Sequence, residues 1–302
     1  MIADLFSLEI ADIRFVISGD ARLRVSPPPP VVYLPFLNKP DGARCSLTVR
    51  ISLELRDMPD VKEMTKVFDS GESWSMYRHL GDYVITLSPT ILDNRTVWMA
   101  RISKDSADVI IYCSDILKMD IAGQTEVLNP VMYPLDQLLM IQILSQKGGT
   151  LIHAAGARLQ DKGYIFPGRS GAGKSTISKQ FAGKSPWELL SDDRVAVRKM
   201  DKSIMVYGTP WAGEAGMAEN EGAALSGIFF LHKGSENMLT EISAGEAFER
   251  LMPVTSVPWY DARMMTNVLS FCEDIVSCTP SYDLFFKPDS EVVDILEKYA
   301  SS

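Results

Sequence analysis

Residues 168–176 read GRSGAGKST, with three glycines, one lysine and two hydroxyl residues next to the lysine. The spacing Gly168-x-x-x-x-Gly173-Lys174-Ser175 fits a loop that curls its N–H groups around anionic oxygens. Each position has an expected part. Gly168, Arg169, Ser170, Gly171, Ala172 and Gly173 form the cradle. Lys174 reaches the β- and γ-phosphates, Ser175 holds Mg²⁺ through its hydroxyl, and Thr176 assists at an α-phosphate oxygen. A helix starting at Lys174 adds its positive N-terminal end. The implied ligand is a nucleotide, with ATP and Mg²⁺ as the expected pair. The loop alone does not separate a kinase from a hydrolase.

A second acidic element follows in ELLSDDRVAV, residues 188–197. Asp192 and Asp193 come after a short apolar stretch, where a carboxylate completes a magnesium shell. Two adjacent acids allow one to serve the metal and the other to take the proton of an attacking hydroxyl. His153 lies in the apolar run TLIHAAG ahead of the loop. A lone histidine there reads first as a core residue bonded to a carbonyl; His79 and His232 receive that reading. Glu214, in the PWAGE turn, is a further candidate ligand for metal or acceptor. Arg194 and Arg263 are candidate charge partners for the transferring group.

These residues need a scaffold. Residues 151–159 and 164–166 read as strands about a polar turn, followed by the glycine loop and a helix over about 174–181. Residues 133–149 read as a buried helix opened by Pro134 and closed by Gly148–Gly149. Strand-like runs continue around KMDKS and in ALSGIFFLHKG. AGEAFERLMP and YDARMMTNVLSFCEDIV read as helices, YDLFFKP as a last strand, and DSEVVDILEKYASS as a final helix with an Asp or Ser cap. Residues 1–130 alternate apolar and polar in RCSLTVRISLEL, DYVITLS, TVWMARIS and DVIIYCS, predicting an antiparallel sheet or small sandwich. The run SPPPPVV reads as a rigid connector or sheet edge. The expected organisation is a β-rich domain over 1–130 and an α/β nucleotide-binding domain over 131–302.

Composition limits the partners. The 302 residues carry a formal net charge of −9, which argues against nucleic acid as ligand. No apolar run reaches the length of a membrane span, and the N-terminus lacks the pattern of a signal peptide. Four cysteines without a C-x-x-C pair, and three histidines, do not suggest a structural zinc site. A cytoplasmic protein with reduced thiols is the expectation. The three tryptophans of the C-terminal half, Trp187, Trp211 and Trp259, read as core residues.

Taken in order, LIHAAGARLQDKGYIFPGRSGAGKST and LLSDDRVAV resemble the catalytic domain of HPr kinase/phosphorylase and its relatives. That family places a histidine in the strand before the glycine loop and an Asp-Asp-Arg-Val segment after it. The resemblance spans residues 148–215 and is absent from the first 130. It implies the P-loop fold shared with phosphoenolpyruvate carboxykinases. It also implies an ATP-dependent kinase acting on a serine-like hydroxyl of a protein, peptide or small molecule. Carried over, Asp192 is the base, Asp193 a metal-side carboxylate, and His153 a neighbour that orients Asp192. A homo-oligomer is compatible with the resemblance. Arg169 stands where true HPr kinases are often acidic, and YGTPWAGEAG replaces their Glu-Ile-Arg-Gly-Leu-Gly type segment. The likeness therefore points to the wider HPr-kinase-like group. The alternative function is an NTPase or nucleotide-gated binding module with no phosphoryl acceptor.

Overall fold

A computed structural model of the chain describes residues 1–26, 28–37, 45–121, 124–181 and 186–301. Pro27 of the proline run and Arg44 of the first strand-like segment lie outside them. The fold is mixed α/β, with large sheets and few helices. The chain divides into two compact units, Met1–Pro30 with Leu37–Leu139, and Val31–Phe36 with Met140–Ser302.

Among the described residues the first unit holds eleven strands: β1 (Ile2–Ile10), β2 (Ile13–Asp20), β3 (Arg24–Ser26), β4 (Leu47–Glu54), β5 (Thr65–Asp69), β6 (Trp74–His79), β7 (Asp82–Leu87), β8 (Trp98–Ile102), β9 (Asp108–Cys113), β10 (Lys118–Ile121) and β11 (Gln124–Leu128). Eight of them form one sheet in the order β1-β2-β4-β9-β8-β7-β6-β5, and β10-β11-β3 form a second. The large sheet is not purely antiparallel as expected: β4 runs parallel to both β2 and β9. Long connections allow this. A parallel pair needs a crossover, and the β5–β8 meander provides the one between β4 and β9. The hairpin of β1 and β2 turns through Ala11 and Asp12, both left-handed at φ 51° and 61°. Strict alternation then buries every second residue of β2.

The second unit carries the glycine loop. Helix α1 (Leu135–Gln146) crosses the unit boundary and has no polar face; Leu135, Leu139, Met140, Ile143 and Leu144 are all fully buried. After it come β12 (Gly149–Leu159), β13 (Lys162–Pro167), α2 (Lys174–Phe181), β14 (Trp187–Ser191), β15 (Arg194–Met200), β16 (Ser203–Tyr207), β17 (Gly222–Lys233), β18 (Met238–Glu241), α3 (Ala244–Leu251), α4 (Ala262–Cys278), β19 (Ser281–Phe286) and α5 (Glu291–Ser301). The sheet order is β13-β12-β15-β16-β17-β19-β18, and a further pairing of β13 with β17 closes a ring of five strands. Alternation along the strands sends side chains to two cores. Ile152, Ala154 and Phe230 pack with α3 and α4, while Ala155, Phe166 and Phe229 pack with α2 and α5. Both α3 and α4 are capped by their own sequence. Ser243 and Glu246 form a capping box, and the Asp261 side chain accepts from the Met264 N–H. Trp187 and Trp211 are core residues as expected. Trp259 is not: it sits in the turn before α4 and is 66% exposed.

Candidate functional site

Strand β12 assembles the site by changing partners along its length. Residues 149–153 pair with β15, while 156–159 pair with β14. Asp192 and Asp193 form the two-residue connection between β14 and β15, so they lie where β12 switches. The register sets His153 opposite Arg194, one residue beyond Asp193. On the other edge β12 pairs with β13, whose last residue, Pro167, leads into the glycine loop. The His153 carbonyl accepts the Gly168 N–H at 3.2 Å. One histidine therefore touches the start of the loop with its backbone and the acidic turn with its ring.

That ring meets Asp193. His153 Nε2 lies 2.9 Å from Asp193 Oδ1, and because a carboxylate only accepts, Nε2 carries the hydrogen. Asp193 Oδ1 is also 4.0 Å from Lys174 Nζ, and Oδ2 is 3.8 Å from Arg194 Nε. Burial pushes the Asp193 carboxyl up. The His153 hydrogen bond and charge, with Arg194 and Lys174, outweigh it and hold the group below the usual carboxylate range. Lys174 is 7% exposed and donates to the Gly168 carbonyl at 2.9 Å. Burial lowers its ammonium, with Asp193 offsetting part of the effect.

Asp192 is employed differently. It is buried, and its Oδ1 and Oδ2 accept the N–H groups of Gly213 and Ala215 at 2.8 and 2.7 Å. Both oxygens are thereby occupied by N–H groups of the 211–216 turn. The expected pairing of His153 with Asp192 is thus replaced: the histidine orients Asp193, and Asp192 fastens a turn. The physical reason is that main-chain N–H groups of Gly213 and Ala215 occupy both Asp192 oxygens, while the His153 ring reaches Asp193. Glu214 stands between the two donors to Asp192 and is exposed, with no hydrogen bond or ion pair tying it to Lys174 or Asp193 among the described residues. Arg263 is an exposed residue of α4, and no hydrogen bond or ion pair ties it to this cluster among the described residues.

The turn belongs to a longer strap over the acidic connection. Thr209 Oγ1 donates to the Arg194 carbonyl at 2.7 Å, Gly208 N–H to Glu221, and Glu219 N–H to Leu190. Only glycine fits at 208, where a Cβ would stand 2.1 Å from the Glu219 oxygen and 2.4 Å from that of Leu190. Sequence reasoning missed this strap. Its signal was the small-residue run of YGTPWAGEAG, which fits close backbone approach.

The loop has the local shape its glycines suggested. It runs from β13 into α2, and α2 begins at Lys174 with Ile177 N–H bonded to Gly173 O at 2.9 Å. Gly173 adopts φ 114°, and a Cβ on it would meet the Phe286 ring at 2.8 Å. Arg169, Ser170 and Gly171 are exposed, while Ala172, Ser175 and Thr176 are half-buried.

The donor set fits a polyphosphate: a buried ammonium, a helix start and a curled glycine loop. Ser175 and Asp193 carry the hydroxyl and carboxylate oxygens that magnesium takes as ligands. Among the described residues no three His, Cys, Asp or Glu side chains converge on a metal position. Magnesium does not require such a trio, since phosphate and water supply most of its ligands. No helix among the described residues is long and apolar enough to cross a membrane. A scan against protein-family models gave no match, and neither did a search of curated proteins.

Proposed function

We propose that the second unit is a P-loop kinase core of the HPr-kinase-like type, moving the γ-phosphoryl group of ATP to a hydroxyl acceptor. The observation that carries this reading is Asp193, placed 2.9 Å from His153 and 4.0 Å from Lys174. A carboxylate oriented by histidine and adjoining a phosphate-loop lysine suits an acceptor hydroxyl better than a metal-only role.

Lys174 and the loop N–H groups would hold the phosphates, and Ser175 with Asp193 would hold magnesium, which would supply charge neutralisation at the transferring group. Asp193 takes the acceptor proton as the new phosphorus–oxygen bond forms and the bond to the β-phosphate bridging oxygen breaks. Its low pKa makes it a weak base. That suffices where the proton leaves late, as in a loose transition state. Most of the acceleration comes from position and charge. His153 fixes the carboxylate's rotamer, and Asp192 fixes the strap beside it. A cytoplasmic setting supplying Mg-ATP is part of this reading.

Phosphorus NMR of the protein with Mg-ATP, with and without serine peptides and small alcohols, tests it. A new phosphoester resonance is expected. Inorganic phosphate alone, at the same rate with and without acceptors, would reassign the protein as a hydrolase.

A further inference from the structure

The second unit has a cleft of about 420 Å³ that the phosphate site does not use. Its floor is apolar, with Phe181 from the end of α2, Trp187 and Leu189 from β14, and Met217 from the strap. The Trp187 and Phe181 rings stack at 4.8 Å, and the buried Trp187 Nε1 has no hydrogen-bond partner among the described residues. The rim is acidic. Glu188, Glu219 and Glu221 are exposed there, against one cation among the described residues, Arg158. Arg158 pairs with Glu188 at 2.8 Å and with Glu221 at 3.3 Å, and no ion pair engages Glu219 among the described residues.

Two elements tie this cleft to the phosphate site. Helix α2 starts at Lys174 and ends at Phe181; seven residue steps of about 1.5 Å span about 10 Å. Leu190, also on the cleft wall, precedes Asp193 by three residues, again about 10 Å in extended chain. An extended peptide covers that distance in about three residues. The strap that lines the cleft with Met217, Glu219 and Glu221 also supplies the N–H groups that hold Asp192.

We infer that this cleft is the acceptor subsite, and that the acceptor is a peptide segment with an apolar residue beside a Lys or Arg, about three residues from the phosphorylated hydroxyl. Three carboxylates against one guanidinium select a cation, and the aromatic floor takes the apolar neighbour and the lysine or arginine stem. The inference rests on the kinase reading above, whose transfer step it leaves unchanged.

The test is a peptide library with one central serine, every position within five residues scanned, using radiolabelled Mg-ATP. Parent protein, Glu219→Lys and the double variant Glu219→Gln/Glu221→Gln are compared, with ATP affinity measured separately. The parent should select Lys or Arg at one position two to four residues from the serine. The kcat/KM for the best peptide should fall on the order of tenfold in Glu219→Lys and less in the double variant, at unchanged ATP affinity. No preference for a cation in the parent, or the same preference in all three proteins, would overturn the subsite. Transfer to small alcohols but to no peptide would also overturn it, while sparing the kinase reading. ATP binding without transfer to any acceptor would sink both.

Discussion

Exchanging one oxygen for an amide at Asp192 or at Asp193 should produce opposite phenotypes. Asp192 is buried and accepts two backbone N–H groups at 2.7 and 2.8 Å. In Asp192→Asn one of those donors faces an NH₂ group and loses its acceptor. An unsatisfied donor of this kind costs about 1–3 kcal/mol. Gly213 is exposed, so water recovers part of the loss there, and about 2 kcal/mol is the expected value. For a domain of this size that lowers Tm by about 4–8 °C. Turnover should fall only as far as the strap loosens. Asp193→Asn keeps a side chain that His153 can still meet through the amide oxygen, so near neutral pH Tm should fall only by what the carboxylate charge contributes. Loss of a positioned base costs about 10²–10⁴ in kcat, with ATP affinity largely retained. Scanning calorimetry and a coupled phosphoryl-transfer assay on both variants decide the matter. If Asp193→Asn turned over like the parent while Asp192→Asn was inactive at full stability, the division of labour drawn here would be wrong.

Lys174→Met should abolish stabilisation by Mg-ATP, about 2.7 kcal/mol at a hundredfold over Kd in the parent, without destabilising the nucleotide-free protein. Burial already disfavours the lysine's charged form, and melting curves with and without Mg-ATP check both halves. Gly173→Ala should weaken ATP binding, because the new methyl meets Phe286 at a φ of 114°; Phe286→Leu in the same chain should restore part of the affinity, read by calorimetric titration. Gly208→Ala should cost at least about 2 kcal/mol by forcing a Cβ onto two carbonyl oxygens, measured by urea denaturation. The depressed Asp193 pKa stabilises the fold above the unfolded value of about 3.9 and loses that contribution as pH falls through the folded one. The stability gap between parent and Asp193→Asn should therefore close below about pH 4, seen in denaturation across pH.

Local chemistry made much of the second unit legible. Gly168 to Ser175 announce a turn into a helix, and α2 starts at Lys174 as the spacing required. The strand runs flanking Gln160 and KMDKS fall in antiparallel pairs. What sequence could not supply was register. Whether His153 meets Asp192 or Asp193 depends on where β12 exchanges β15 for β14, which residue types do not encode. The strap was hidden for a related reason: it is held by main-chain N–H groups, and any residue but proline provides one. In the first unit the β1–β2 hairpin escaped notice because Ala-Asp turns the chain where Asn-Gly is the usual sign. Parallel pairing of β2, β4 and β9 is likewise invisible to alternation, which is the same in either direction.

The strap over the acidic turn has an evolutionary consequence. Its fastenings are the N–H groups of Gly208, Gly213, Ala215 and Glu219, the Thr209 hydroxyl and the Asp192 carboxylate. Met217 packs on the core, whereas the side chains at 212, 214 and 219 make no hydrogen bond or ion pair among the described residues. Those three positions can drift from one lineage to another while the ribbon keeps its path, so novelty should accumulate there first.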